Sequence, residues 1–251
     1  MKPPKYLDQL LAPFNAASTS LWGDSKDVVL SANLLRIMRW SLYVAIFAAT
    51  SQGIIHFVNV VLLDAKFALL NADVDIGVFT WASSLATGIA AFGVVLVAAQ
   101  LFRFRKLMLG VGGILAFFSL DDAVGIHERI SIDKIGPIAH ASRIAWIAFS
   151  LPLLAAAFLG LLAFGLRAPD VLRKTLIWGL SALVLAISLE GTSPILFALG
   201  SDHGNWLYEL EVVFEEGLEL AGWILIGAAT SVGALLLGLL NAQRAQVIPD
   251  R

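Results

Sequence analysis

The fold class follows from the stretch LAGWILIGAATSVGALLLGLL at residues 220–240, 21 consecutive residues without an ionisable side chain. A helix rises about 1.5 Å per residue, so this stretch is long enough to cross the hydrocarbon core of a bilayer, about 30 Å thick. The rest of the chain agrees, because 59% of its residues are hydrophobic, 14% are charged and its mean hydropathy is +0.83. The sequence therefore predicts an integral membrane protein.

Further apolar runs precede this stretch and complete an all-α bundle of six transmembrane helices. We expect the spans at Trp40–Leu63, Ile76–Leu101, Leu107–Glu128, Ile144–Leu166 and Thr175–Leu199, with a sixth that ends near Leu240. Residues 1–39 are predicted to be an amphipathic, interfacial segment, residues 40–241 the membrane domain and residues 242–251 a polar tail. In the third span, the small residues Gly110, Gly112 and Gly113 predict close helix packing.

Basic residues predict the orientation of the bundle. Six spans put both termini on one side, and only Lys66, Arg129, Lys134 and Arg143 fall on the other, so 13 of the 17 Lys and Arg residues share the side of the termini. Cytoplasmic loops carry the excess of basic residues. We therefore expect both termini in the cytoplasm of a bacterium and the bundle in its inner membrane. Residues 1–27 lack the apolar core of a cleavable signal peptide, so we expect the first span to act as the targeting signal.

Composition also excludes several classes of function. A net charge of -2 gives no basis for nucleic-acid binding, and the absence of cysteine excludes disulfides, thiolate metal sites and a cysteine nucleophile. Neither a G-x-S-x-G motif nor a phosphate-binding glycine loop is present. The expected partners are the lipid bilayer itself and a lipid or an ion as substrate.

One acidic motif lies at the end of the third span, where residues 119–128 read SLDDAVGIHE. Only residues 107–120 are free of charge there, too few to cross a bilayer, so Asp121 and Asp122 are expected within the span. Ionisable residues inside a membrane are costly and usually functional. At about 100° per residue, Asp121 and Glu128 share one side of the helix with His127 adjacent, whereas Asp122 points about a quarter-turn away.

A second acidic set completes the prediction. Glu190 falls inside the fifth span, and Glu209, Glu211, Glu215, Glu216 and Glu219 lead into the sixth. His56 in the first span and His203 before the sixth belong to the same outer half of the membrane. We therefore expect a polar cavity between spans one, three, five and six that opens to the periplasmic side. Few basic residues lie near it, so the carboxylates are either protonated or neutralised by a bound cation.

A divalent metal is the leading interpretation of this charge imbalance. The candidate ligands are Asp121, His127, Glu128, Glu190, Glu215 and Glu219, with His56, Asp122, His203 and Glu209 as secondary candidates. Carboxylates with imidazole suit Zn, Fe or Mn. In a metal-dependent enzyme acting on a lipid-phase substrate, metal-bound water would be the nucleophile and Glu216 the general base. The H-E-x-x-H zinc motif is absent, because Ser131 occupies the place of its second histidine.

Other interpretations remain open. The same carboxylates would serve a cation transporter or a proton-coupled transporter, with Ser51, Gln52, Ser83, Ser84 and Thr87 as part of a path. A non-catalytic subunit or sensor is a third possibility. The structural alternatives are a third span that ends at Leu120, a solvated helix that carries the glutamates above the membrane, and a hydrogen bond from the Gly191–Pro194 break to Glu190.

The two acidic stretches also resemble a known pattern. Ser-Leu-Asp-Asp followed by His-Glu at residues 119–128, and then Glu-Glu-x-x-Glu at residues 215–219, is similar to a pattern in uncharacterised bacterial multi-span integral membrane proteins. The resemblance implies the same membrane architecture and brings no known activity with it.

Overall fold

A computed structural model describes residues 32–74, 77–101, 104–126, 139–201 and 203–247, apart from the side chains at 139–148, 194 and 244–247. All regular secondary structure in these residues is helical. The long helices are α1 (Ala32–Phe57), α2 (Val78–Gln100), α3 (Arg105–Val124), α4 (Ala139–Gly165), α5 (Asp170–Glu190) and α7 (Trp206–Val247), with the short α6 (Ser193–Ala198) between the last two. A π-helical turn, Val58–Leu62, continues α1, and a 3-10 turn, Ala68–Leu70, lies in the loop that follows.

Five of the described segments are long and apolar enough to cross a membrane: Ala32–Leu62, Val78–Gln100, Arg105–Val124, Asp170–Ala198 and Trp206–Gln243. The structure thereby confirms the predicted class, a helical protein with several helices long and apolar enough to cross a membrane. In α4, the described apolar segment is Phe149–Gly165, which is shorter than a span. The number of six spans therefore stays a prediction.

The last helix, α7, is the centre of the bundle. Helices α1, α2 and α5 pack against it, α3 packs on α2, and α4 packs on α3 and α5. Ile226, Val232 and Leu237 of α7 are fully buried, whereas Phe47, Trp81 and Trp178 on other helices point outward and are exposed. An apolar exterior of this kind suits contact with lipid.

Glycines allow the backbones of α5 and α7 to approach each other. A Cβ atom added to Gly179 would lie 2.9 Å from the carbonyl oxygen of Gly222, and one added to Gly222 would lie 3.0 Å from that of Gly179. On α3, Gly112 packs closely, since its added Cβ would lie 2.8 Å from Val95. No described atom lies within 4 Å of a Cβ added at Gly110 or Gly113. Of the three glycines predicted to pack closely, Gly110, Gly112 and Gly113, only Gly112 does so against the described residues.

Two helix ends differ from the predicted spans. Helix α3 ends at Val124, because Gly125 adopts the left-handed conformation (φ 61°) that ends helices; the predicted span ran to Glu128. The predicted fifth span is divided, because α5 ends at Glu190 and a two-residue turn at 191–192 precedes α6. We call this turn, together with Ser193, the bend. The acidic part of the sixth span is continuous with its apolar part in α7, so the glutamates and residues 220–240 share one helix.

Candidate functional site

The acidic residues of α7 form two lines on the helix. Glu211, Glu215 and Glu219 follow one another at i, i+4 and i+8, while Glu209 and Glu216 lie on a neighbouring line. Glu209 is 2% exposed and Glu211 is 8% exposed. Glu215, Glu216 and Glu219 are half-buried. We call Glu211, Glu215, Glu216 and Glu219 the acidic face. It lies in the half of the bundle nearest residues 63–74, which we call the outer half.

Glu219 is the deepest carboxylate of the acidic face. Its Oε1 atom accepts hydrogen bonds from Ser83 Oγ of α2 and from Trp223 Nε1, both at 3.3 Å. The first of these contacts makes α2 a wall of the site. The predicted cavity was lined by spans one, three, five and six, so the second span is an addition that the structure makes.

Glu211 is held by the bend between α5 and α6. Its Oε1 atom accepts hydrogen bonds from Ser193 Oγ at 2.9 Å and from Thr192 Oγ1 at 3.3 Å, whereas its buried Oε2 atom has no described hydrogen-bond partner. The side chain of Glu190 is exposed at the end of α5. The hydroxyls of the bend therefore hold Glu211, which is not one of the predicted ligands. Glu190, which is one of them, lies at the rim of the site.

His56 and Glu209 form a buried hydrogen-bonded pair. His56 Nε2 lies 2.8 Å from Glu209 Oε2, the backbone N–H of Ala72 donates to His56 Nδ1 at 2.9 Å, and the backbone N–H of Gly204 donates to Glu209 Oε1 at 2.7 Å. A backbone N–H can only donate, so Nδ1 carries no proton and the neutral ring donates from Nε2. Both ring nitrogens are thus in use, and a metal ion could bind His56 only by breaking one of these bonds.

The pair joins α1 and α7 to the loop outside them. In that loop Asp73 accepts a hydrogen bond from the Tyr208 hydroxyl at 3.2 Å and pairs with His203 Nδ1 at 3.0 Å. The His203 and Tyr208 rings also touch edge to face. Burial raises the pKa of the Asp73 carboxyl, while His203 and Tyr208 oppose that rise. Sequence reasoning missed Asp73, because a single aspartate in a polar loop carries no distinguishing pattern.

The acidic motif of α3 lies beside the acidic face. Asp121 is buried and Asp122 is half-buried. Glu216 interacts electrostatically with Glu219, Glu215 and Asp122. Helix geometry favours Asp121 over Asp122 for the shared site, and this preference stays a prediction. His127 and Glu128, two predicted ligands, lie outside the described residues.

No three His, Asp or Glu side chains form a metal-binding group within the parts of the chain that the structure describes. Since His127 and Glu128 are not among those parts, the metal site stays a prediction. Among the described residues, Arg173 and Lys174 form ion pairs with Asp170, while the carboxylates of Glu209 and Asp73 lie against His56 and His203. The acidic face therefore has no Lys or Arg partner in the described structure.

Polar atoms without partners surround this face. Within the described structure, the buried side-chain nitrogen and oxygen atoms that lack a hydrogen bond are Gln52 Nε2 and Oε1, Ser84 Oγ and Glu211 Oε2. Gln52 lies one turn from His56 on α1, and Ser84 follows Ser83 on α2. Nearly all buried polar atoms in proteins are hydrogen-bonded. Their concentration in the outer half marks a polar region inside an otherwise apolar bundle.

Comparison with known proteins identifies the family. A family model described as a domain of unknown function, DUF8692, matches residues 28–233. The chain belongs to the DUF8692 family. The matched region of this DUF8692 chain contains every residue of the acidic face, together with His56, Asp73 and Glu209. No curated protein and no solved structure matches the chain.

Proposed function

We propose that this protein is a multi-pass membrane protein that binds a divalent cation on the acidic face of α7. The observation that carries the proposal has two parts. Four glutamates lie on one face of α7 without a basic partner among the described residues. In the same half of the bundle, buried polar side-chain atoms lack a hydrogen bond. Carboxylates on neighbouring turns of one helix repel one another in a low dielectric medium. A bound cation removes that repulsion and supplies the missing partner.

The proposed ligands come from two helices. Glu215, Glu216 and Glu219 of α7 face the end of α3, where Asp122 interacts electrostatically with Glu216. Asp121, His127 and Glu128 belong to the same acidic motif and complete the proposed set of metal ligands. Glu190 of α5 lies at the rim of the site. An oxygen-rich site with one imidazole suits Zn, Fe or Mn.

The proposed orientation places both termini in the cytoplasm and the site on the periplasmic side of a bacterial inner membrane. Because the chain has no cysteine, single cysteines report topology directly. Lys66 and Gln243 are both exposed, at opposite ends of the bundle. In intact cells, Lys66→Cys should react with a membrane-impermeant maleimide, and Gln243→Cys should react only after lysis. The reverse pattern would contradict the orientation.

Metal binding is tested by elemental analysis of protein purified without chelators. We expect about one metal ion per chain in the wild type. The double variant Glu216→Gln/Glu219→Gln should bind at least about tenfold more weakly, since it removes two charged ligands at a cost of 1.4 kcal/mol or more. The amide side chains keep the size of the site, so the fold should be retained.

The matched control for this experiment is Asp170→Asn. Asp170 is an exposed carboxylate at the other end of the bundle, paired with Arg173 and Lys174. Its metal content should equal that of the wild type. A wild-type protein that neither retains a metal nor binds added Zn²⁺, Fe²⁺ or Mn²⁺ would show that the acidic face is not a metal site.

An enzyme that acts on lipids would need a route from the hydrocarbon to the acidic face. A groove of about 620 Å³ between α1 and α7 is lined by apolar residues, among them Ala49, Gly53 and Gly217. None of the four glutamates of the acidic face is among the residues that line the groove. The proposal is therefore limited to cation binding.

Cation or proton transport is the second candidate function. The feature that favours it is the row of carboxylates from Glu211 to Glu219, which points inward from the outer surface. Toward the cytoplasm, the buried hydroxyls of Thr87 and Thr230 donate to carbonyls of their own helices. Flux of Mn²⁺ or protons in liposomes that contain the purified protein would support transport, and binding without flux would support a resident ion.

A further inference from the structure

Glu211 differs from the other carboxylates of the acidic face in how it is held. One oxygen is fixed by the hydroxyls of Thr192 and Ser193, and the other is buried without a described partner. Leaving a buried polar atom unpaired costs about 1–3 kcal/mol, and more when it is charged. The carboxylate is thus oriented before any ligand arrives, and its second oxygen suits a cation.

The position of Glu211 places it between the outer surface and the deeper glutamates. It interacts electrostatically with Asp73 of the outer loop and with the exposed Glu190. One helical turn further in, Glu215 interacts with Glu211 and with Glu219. Neighbouring glutamates of this row are four residues apart, about 6 Å along the helix, so the three form evenly spaced steps.

A second unpartnered group, Gln52 of α1, lies at the level of the middle of this row. Gly53 of α1 packs against Val213, and Ala49 packs against Gly217. Gln52 therefore lies at the level of Glu215 and Glu216, with a side chain that is 2% exposed and an amide without described partners. Amide oxygens bind hard divalent cations, as carboxylates do. Glu211 and Gln52 are thus two buried groups of this region that lack a described partner.

We propose that Glu211 is an entry site for the divalent cation, which it receives at the outer surface beside Asp73 and Glu190 and transfers to Glu215 and Glu219. This inference rests on the proposed function, because it requires a cation site deeper in the acidic face. Glu211 contributes to the rate of binding, whereas Glu216 and Glu219 determine the affinity.

The test measures the rate of Mn²⁺ binding to the full-length protein in lipid nanodiscs by stopped-flow fluorescence. Trp223 reports binding, because its indole donates to Glu219, and Trp223→Phe identifies its share of the signal. Glu211→Gln should slow association and dissociation alike by about tenfold, the lower range of electrostatic effects on association rates. The Kd should stay within about twofold of the wild-type value, since both rates change together.

The control variant is Ser193→Ala, which removes a hydrogen bond to Glu211 and leaves its charge. Association should stay near the wild-type rate, so equal slowing in Ser193→Ala and Glu211→Gln would assign the effect to the bend and overturn the inference. An unchanged association rate in Glu211→Gln would overturn the entry site and leave the metal site intact. Absence of Mn²⁺ binding in the wild type would overturn both proposals.

Discussion

Replacing Glu209 with alanine should destabilise the protein by about 1.5–4.5 kcal/mol. The substitution leaves the Nε2–H of the fully buried His56 without an acceptor and removes a hydrogen bond from the backbone N–H of the exposed Gly204. The unpaired buried donor costs about 1–3 kcal/mol, and the lost hydrogen bond from Gly204 costs about 0.5–1.5 kcal/mol. Thermal unfolding of the purified protein in detergent, followed by intrinsic fluorescence, measures the effect as a lower Tm.

Glu209→Gln provides a sharper version of this experiment. The two donors require two acceptor oxygens, and an amide supplies only one. His56 cannot adapt by moving its proton, because the Ala72 N–H occupies Nδ1. We therefore expect a loss of about 1–3 kcal/mol when the amide leaves His56 without an acceptor, and of about 0.5–1.5 kcal/mol when it leaves Gly204 without one. Glu190→Gln, at an exposed glutamate, should leave the Tm unchanged. A Glu209→Gln variant as stable as the wild type would contradict the proposed tautomer of His56.

Gly179→Ala should have the second large effect. The added methyl group would lie 2.8 Å from Ile226 Cγ1 and 2.9 Å from the Gly222 carbonyl oxygen, distances at which α5 and α7 must move apart. Overpacking of this kind typically costs about 1–3 kcal/mol. Because α5 leads directly into the bend that holds Glu211, we also expect weaker cation binding. A lower Tm together with a raised Kd for Mn²⁺ would report both effects.

Gly113→Ala is the matched control for this substitution. It makes the same chemical change in the middle of α3, at a position where no described atom lies within 4 Å of the new methyl group. Alanine favours a helix over glycine by up to about 1 kcal/mol. The Tm should therefore stay the same or rise slightly. Equal destabilisation by the two variants would show that the contact between α5 and α7 is not the cause.

Hydropathy predicted the spans because membrane insertion depends on local composition. The second span was predicted at Ile76–Leu101 and is observed at Val78–Gln100. The third was extended to Glu128 because a crossing requires a minimum length, yet α3 ends at Val124. Gly125 was a visible signal for that end, since glycine adopts the left-handed conformation without strain.

The residue types of the site could be read from the sequence, whereas their partners could not. Charge in an apolar run identifies His56, Glu209 and Glu219, but the pairing of Glu219 with Ser83 depends on which helices are neighbours. Hydropathy carries no information about neighbours. The preference for Asp121 compares it with Glu128 on its own helix, and it stays a prediction because Glu128 lies outside the described residues.

The central position of α7 has a consequence for biosynthesis. Ribosomes make proteins from the N-terminus, so α1, α2 and α5 enter the bilayer before the helix against which they pack. Until α7 is inserted, Gln52, His56 and Ser83 face lipid or one another without the carboxylates that lie beside them in the finished protein. We therefore expect the early intermediates to depend on the insertion machinery to shield these polar groups.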